Sequence, residues 1–172
     1  MVIRLASPGD HAAIDTIVRA AFGRDDEAVL VDRLRADEDT LFELVAVEQG
    51  EIAGHVLYSR LWVDRYDLYA SLGPLAVDPA RHRRGVGSAL VRASLEIARE
   101  FGCHGVLLLG APAYYGRFGF SSSATAQVKG PFSGRAAFQA LALEDDAFVS
   151  PMTIAYPDAF ASAPSEPWRR GS

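Results

Sequence analysis

The sequence contains a single cysteine, Cys103, among its 172 residues. One cysteine cannot form an internal disulfide framework or a multi-cysteine zinc site, and this scarcity fits a reducing compartment. A lone buried cysteine usually behaves as a small apolar residue, so we interpret Cys103 as part of the core rather than as a nucleophile.

Long apolar segments are also missing. No run approaches the roughly 18 residues that a membrane-spanning helix needs. The N-terminus lacks the basic region, apolar stretch and cleavage site of a signal peptide. We therefore predict a cytoplasmic protein that does not insert into a membrane.

The chain has no excess of positive charge, because its net charge at pH 7 is -5. A protein that embraces nucleic acid needs distributed lysines and arginines to neutralise phosphates. The composition therefore argues against a nucleic-acid partner. Any anion-binding site must be local.

What the chain does have is apolar content: 49% of its residues are hydrophobic and 23% are charged. This balance is typical of a globular protein, and 172 residues suffice for one compact domain. We predict a single domain over residues 1–158. The tail over residues 159–172, rich in alanine, serine and proline, is predicted to be loosely ordered.

Periodicity and turn residues predict the order of the elements. Helices are predicted from the Ser7 cap to about Phe22, over 25–35, from 86 to 101 and over 111–118. Strands are predicted at 2–5, 41–47, 52–63, 68–77, 105–110, near Phe120 and at 136–143. This order favours an α+β fold with a mixed, mostly antiparallel sheet flanked by helices.

Gly73 and Pro74 lie inside the strand predicted at 68–77. Proline cannot donate a hydrogen bond to a neighbouring strand, and glycine tolerates a bulge. We expect the strand to kink or splay there. A simple edge irregularity is the alternative interpretation.

The stretch RHRRGVGSAL, residues 81–90, places three arginines and a histidine directly before a predicted helix. A helix N-terminus leaves backbone N–H groups unpaired and carries partial positive charge, which suits a phosphate. The two glycines open the backbone to a ligand, and Arg81, Arg83 and Arg84 add forked donors. On these residues alone, a solvated basic loop remains an equal alternative.

Two common nucleotide motifs are excluded in this stretch. A P-loop requires a lysine after its second glycine, and none follows here. A dinucleotide fingerprint requires a third glycine, but Leu90 occupies that place. The phosphate ligand, in this interpretation, must be of another kind.

The segments LGPLAVDPARHRRGVGSALVRASLEIAREFG and GVLLLGAPAYYGRFGF together resemble the GNAT superfamily of N-acetyltransferases, most closely its bacterial YhbS-like branch. The resemblance covers residues 1 to about 156. It implies a GNAT-like acyl-CoA N-acyltransferase fold with a splayed central strand. It also implies acetyl-CoA as cosubstrate and no metal.

In that family the motif Q/R-x-x-G-x-G/A binds the pyrophosphate of acetyl-CoA, and the splayed strand pairs with the pantetheine arm. The resemblance assigns the strand positions to Leu75, Ala76 and Val77. Histidine at position 82 departs from the usual glutamine or arginine, although a backbone cradle does not depend on that side chain. The implied loop residues are His82, Arg83, Arg84, Gly85, Val86, Gly87 and Ser88.

The family motif Y-x-K/R-x-G-F falls on residues 115–120 and implies that Tyr115 is the general acid for the departing thiolate. The adjacent Tyr114 points about 100° away on a helix, so only one of the two can face the sulfur. The resemblance implies that the backbone N–H around Val77 stabilises the oxyanion. We assign no general base: Glu43, His55 and Asp67 are more simply interpreted as solvated or capping groups, and deprotonation through water remains open.

The resulting hypothesis is acetyl transfer from acetyl-CoA to a primary amine of a small molecule or peptide, by direct attack through a tetrahedral intermediate. A non-catalytic acyl-CoA-binding or regulatory module is the alternative. Acetylation of an aminoacyl-tRNA or another nucleic acid is a third hypothesis, which the net charge of -5 disfavours. The acceptor cannot be read from the sequence, and a homodimer is left open.

Overall fold

The structure is a computed structural model that describes residues 1–162. The tail predicted to be loose begins at residue 159, but Asp158–Ser162 form a 3-10 helix in which Ala159 is only 1% exposed. Ala159 packs with Leu34 and Leu57, so this part of the prediction was wrong. The rest of the predicted tail, 163–172, lies outside the described residues.

Within residues 1–162, eight strands form one mixed sheet in the order β1-β2-β3-β4-β5-β7, while β8 pairs with β3 and with β6. The pairs β4–β5 and β6–β8 are parallel and the other pairs are antiparallel. The predicted α+β class, with a mostly antiparallel sheet, is confirmed. The strands are β1 (Val2–Leu5), β2 (Thr40–Glu48), β3 (Glu51–Val63), β4 (Leu68–Val77), β5 (Cys103–Leu109), β6 (Val128–Lys129), β7 (Phe138–Ala142) and β8 (Met152–Ala155).

In the described part of the chain, four α-helices flank the sheet: α1 (His11–Phe22), α2 (Asp26–Ala36), α3 (Val86–Glu100) and α4 (Pro112–Tyr115). A 3-10 turn at Pro8–Asp10 precedes α1, and the Ser7 backbone N–H donates to Asp10 Oδ2 at 2.7 Å, as in a capping box. Gly23 ends α1 with φ 68°, a left-handed conformation that glycine adopts without steric cost. None of the described helices is long and apolar enough to cross a membrane.

Three predictions differ from the structure near the C-terminal end of the domain. The strand expected near Phe120 is an isolated bridge between Ser121 and Ala140. The strands β6 and β8, of two and four residues, were not predicted. Segments this short show too few alternations for a period of two to be recognised.

The two faces of the sheet carry different apolar clusters. On one, which we call the α3 face, helix α3 packs with Leu90 and Leu95 against strand residues such as Val56 and Tyr58. On the other, the α1 face, α1 and α2 cover one half through residues such as Ile14 and Leu34, and the C-terminal segments cover the other half. The sheet is therefore buried on both sides along its central strands.

Candidate active site

The centre of the sheet is split between β4 and β5. These parallel strands pair only from Leu68 with Cys103 to Ser71 with Leu107. Across β3 the register shifts between Val56 and Tyr58, opposite Gly73 and Pro74. The bulge predicted from the Gly-Pro pair is therefore present. Beyond it, the second half of β4 pairs with β3 alone.

The open edge of β4 presents main-chain groups to the gap. The Asp78 N–H donates to Ala53 O on β3 at 2.9 Å. Because successive residues of a strand direct their main-chain groups to opposite sides, Ala76 also faces β3, while Leu75 and Val77 face the gap. Of the three strand residues implied by the resemblance, Ala76 directs its main-chain groups to β3. Leu75 and Val77 direct theirs to the gap, where the Val77 carbonyl meets the His82 imidazole.

The loop from β4 to α3 forms a concave backbone. Arg83 has φ 62° and Gly85 has φ 80°, two left-handed residues within three positions. The first bond of helix α3 runs from the Ala89 N–H to Gly85 O at 3.0 Å. The N–H groups of Val86, Gly87 and Ser88 therefore have no acceptor within the helix, so this N-terminus can bind an anion. We call the residues from His82 to Ser88 the cradle.

The arginines of the basic stretch divide into two groups. Arg81 is 14% exposed in its side chain and lies 2.8 Å from Asp78, 2.8 Å from Glu51 and 3.6 Å from Glu48. These carboxylates neutralise it, so Arg81 fixes the loop to the strands rather than serving an anion. Arg83 and Arg84 are exposed.

His82, the residue that departs from the family pattern, turns toward the end of β4. Its Nε2 lies 3.2 Å from Val77 O. The imidazole therefore bonds one of the main-chain groups that face the gap, and it links the cradle to the open edge of β4. Histidine stands here in place of the glutamine or arginine of the family motif, and its side chain bonds the backbone.

Tyr114 lies over the cradle. A Cβ placed on Gly87 would be 2.6 Å from Tyr114 Oη, so the hydroxyl occupies the space that a side chain would need. The Arg117 guanidinium lies 4.5 Å from the Tyr114 ring centroid, and its Nη2 donates to Ser88 Oγ at 3.1 Å. Tyr114 and Arg117 are thus additional site residues that sequence reasoning did not assign; their i, i+3 spacing was the available signal.

Tyr115 lies in the apolar cluster of the α3 face. It is 5% exposed, and its ring packs edge-on against Tyr114 at 4.9 Å and Phe120 at 6.0 Å. Burial raises the pKa of Tyr115 above its ordinary value, so the hydroxyl keeps its proton near neutral pH. The structure thus separates the adjacent tyrosines: Tyr114 covers the cradle, and Tyr115 is buried in the apolar cluster of the α3 face.

The residues considered as bases are placed differently. His55 is fully buried on the α1 face, and Glu43 Oε1 accepts hydrogen bonds of 2.8 Å from His55 Nε2 and Arg35 Nη2. Burial lowers the pKa of His55, which is neutral with its proton on Nε2. Burial alone would raise the pKa of Glu43, but the His55 and Arg35 bonds lower it to about 2. Asp67 lies apart from this cluster, 3.8 Å from His104 Nδ1.

Cys103 is 2% exposed, and burial raises the pKa of its thiol to about 11. A protonated, enclosed thiol is a poor nucleophile. The interpretation of Cys103 as a core residue is therefore confirmed.

Comparison with known proteins places these features in a family. Residues 11–120 match the model of the acetyltransferase (GNAT) family. The chain is 39% identical over 150 residues to the uncharacterized N-acetyltransferase YhbS of Escherichia coli K12, covering 86% of this chain and 90% of that protein.

Two solved structures are similar over nearly the whole chain. The crystal structure of Escherichia coli YhbS in complex with CoA has a TM-score of 0.86 and 36% identity, covering 93% of this chain and 91% of that one. A GNAT family acetyltransferase from Brucella melitensis in complex with acetyl-CoA has a TM-score of 0.78 and 34% identity, covering 92% and 97%. Both relatives carry the cofactor or its product.

Proposed function

Because the chain belongs to the GNAT family of acetyltransferases, we propose that it transfers an acetyl group from acetyl-CoA to a primary amine of a small molecule or peptide. The observation that carries this proposal is the continuity of the open β4 edge with the cradle. One path runs from the Leu75 and Val77 main-chain groups to the free N–H groups of α3. The amides of a pantetheine arm and the charge of a pyrophosphate match the groups along this path.

The cradle residues would hold the pyrophosphate. The N–H groups of Val86, Gly87 and Ser88 supply neutral donors, and Arg83 and Arg84 supply positive charge beside them. The amides of the pantetheine would then pair with Leu75 and Val77 as an added strand does. Bound in this way, the thioester lies in the split near the bulge of β4.

At the thioester, the amine nitrogen attacks the acetyl carbon and forms a tetrahedral intermediate with charge on its oxygen. A main-chain N–H on the open β4 edge would stabilise that oxygen. Collapse breaks the C–S bond, and the Tyr115 hydroxyl donates a proton to the departing sulfur. The amine nitrogen gives up one proton to water, and Tyr115 regains a proton from water. Tyr115 suits this role because burial keeps it protonated.

The test combines calorimetry of acetyl-CoA binding with an assay of coenzyme A release across a panel of amines, amino acids and peptides. The proposal predicts binding together with amine-dependent release. Binding without release across the whole panel would instead support a non-catalytic acyl-CoA-binding module.

A further inference from the structure

Three hydroxyl residues lie side by side across the sheet. Thr40 of β2 pairs with Ser59 of β3, and Ser59 pairs with Ser71 of β4. Directly opposite residues of neighbouring strands point to the same face, so the three side chains form a continuous row about 10 Å long. We call Thr40, Ser59 and Ser71 the hydroxyl row.

The row ends where the sheet splits. Ser71 is the last residue of β4 that pairs with β5, through Leu107. The bulge of β4 and the gap proposed for the pantetheine begin just beyond it. The row therefore leads across the α1 face to the point where the thioester would lie.

Unsatisfied oxygen atoms are concentrated along this row. Thr40 Oγ1, Ser59 Oγ and Tyr156 Oη are buried and make no hydrogen bond within residues 1–162. Ala155 pairs with Trp62, so Tyr156 lies beside Leu61, two residues along β3 from Ser59. Buried hydroxyls are normally bonded, because removing them from water without a partner costs free energy. These unbonded oxygens belong to residues at paired and neighbouring strand positions, where a polar ligand could bond them.

The surroundings of these oxygens are apolar. The Tyr156 ring packs 5.1 Å from Phe132 and 5.1 Å from Phe160. The buried carboxylates of the α1 face, Glu27 and Glu43, are each already paired with an arginine at 2.6 Å and 2.8 Å. The site therefore offers hydroxyls and aromatic carbon rather than free negative charge to a ligand.

We propose that the hydroxyl row and Tyr156 bind the amine acceptor, and that this acceptor is a primary amine on an aromatic or apolar body that carries a hydroxyl. The inference rests on the proposed function, because the amino group must reach the thioester beyond Ser71. The hydroxyl of the acceptor bonds Ser59 and Tyr156. In the reaction the N–C bond forms and the C–S bond breaks. The amine nitrogen loses one proton, and the coenzyme A sulfur gains one.

The test compares tyramine with 2-phenylethylamine, which differs from it by one hydroxyl, and with spermidine and a lysine peptide. The wild-type protein is expected to use tyramine with a kcat/KM about tenfold above that of 2-phenylethylamine. Spermidine and the peptide are expected to be poorer still. Ser59→Ala and Tyr156→Phe should each lower the kcat/KM for tyramine to the value for 2-phenylethylamine. The kcat/KM for 2-phenylethylamine and the affinity for acetyl-CoA should not change.

Thermal unfolding separates a binding role from a structural one. Because these hydroxyls have no partner, their removal should leave Tm unchanged or raise it, whereas loss of a structural hydrogen bond would lower it. Thr16→Ala, which removes a hydroxyl that bonds Ala12 O on α1, is the matched control. It should leave the kcat/KM for both aryl amines unchanged.

Several outcomes would overturn the inference. Preference for spermidine or the lysine peptide would overturn the acceptor class, as would equal losses for both aryl amines in Ser59→Ala and Tyr156→Phe. In these cases amine-dependent release persists and the proposed function stands. Acetyl-CoA binding without release for any amine would instead overturn the proposed function, and this inference with it.

Discussion

The two faces of the sheet at the split are built in different ways. On the cofactor side, the cradle consists of backbone N–H groups and exposed arginines from one short segment, residues 82–88. On the α1 face, the hydroxyl row takes one residue from each of three strands. The first is local in sequence and the second is assembled only by folding. A site of the first kind can be recognised in a sequence, whereas a site of the second kind cannot.

The largest expected effect separates chemistry from binding on the cofactor side. Tyr115→Phe should lower kcat by about 100-fold or more, because the departing thiolate loses its proton donor. The affinity for acetyl-CoA should hardly change. Steady-state kinetics and calorimetry measure the two quantities. A variant with full turnover would refute the role of Tyr115.

Tyr114→Phe supplies the contrast to this prediction. Its hydroxyl lies at Gly87, so its loss should raise the KM for acetyl-CoA more than it lowers kcat. Tyr66→Phe, which alters a fully exposed ring, is the control for the removal of a tyrosine hydroxyl and should behave as the wild type.

The next effect concerns the shape of the cradle. Gly87→Ala should weaken acetyl-CoA binding by about tenfold, because the new Cβ would stand 2.6 Å from Tyr114 Oη and 3.4 Å from Val77 Cγ2. Gly116→Ala is a matched control, since a Cβ there meets no atom within 4 Å. Calorimetry should find control and wild type equal; equal weakening in both would contradict the steric reason.

A smaller effect distinguishes the arginines. Arg83→Gln and Arg84→Gln should each weaken acetyl-CoA binding several-fold at low salt and less at high salt, because exposed charges are screened. Arg81→Gln removes the partner of Asp78 and Glu51. Its main expected effect is therefore a lower Tm, and its effect on acetyl-CoA binding should be smaller. An unscreened effect of Arg84→Gln would argue against a charge contact.

The last prediction tests the buried cluster on the α1 face by the pH dependence of stability, a property separate from acetyl-CoA binding and turnover. His55 has a lowered pKa, so unfolding takes up a proton below about pH 6.5 and stability falls as the pH falls. The pKa of Glu43 is about 2 against 4.5 for the free group, which extends the loss below pH 4.5. Each extra proton costs up to about 1.4 kcal/mol per pH unit, or roughly 3–6 °C in Tm.

Circular dichroism melts from pH 7.5 to pH 3.5 measure this slope. Glu43→Gln should remove the fall in Tm that this carboxylate causes below pH 4.5 and keep the fall that begins near pH 6.5. A Tm that stays level from pH 7 to pH 4 would show that His55 and Glu43 do not titrate as their surroundings require.

The sequence predicted those elements whose signals are local. Helix α3 was expected over 86–101 and is present at Val86–Glu100, because its apolar residues repeat at helical spacing and Gly102 ends it. The cradle and the bulge of β4 were likewise indicated by glycine and proline. Strand β8 was missed, since four residues are too few to show a period.

The side-chain partners were less accessible to sequence reasoning. Glu43 and His55 are 12 residues apart and meet only because β2 and β3 pair, and Arg35 reaches them from α2. Arg81 was grouped with its neighbours by sequence, but folding brings it to Glu48 and Glu51. Such contacts depend on register, which composition does not specify.

The Tyr114 hydroxyl in the hollow at Gly87 makes positions 87 and 114 sterically interdependent. Without Oη, the nearest Tyr114 atom to a Cβ at position 87 is Cζ at 3.8 Å, an ordinary contact distance. The double variant Gly87→Ala/Tyr114→Phe should therefore bind acetyl-CoA better than Gly87→Ala alone, a non-additivity that a double-mutant cycle measures. An alanine at position 87 therefore avoids a close contact with residue 114 only when residue 114 lacks its hydroxyl oxygen.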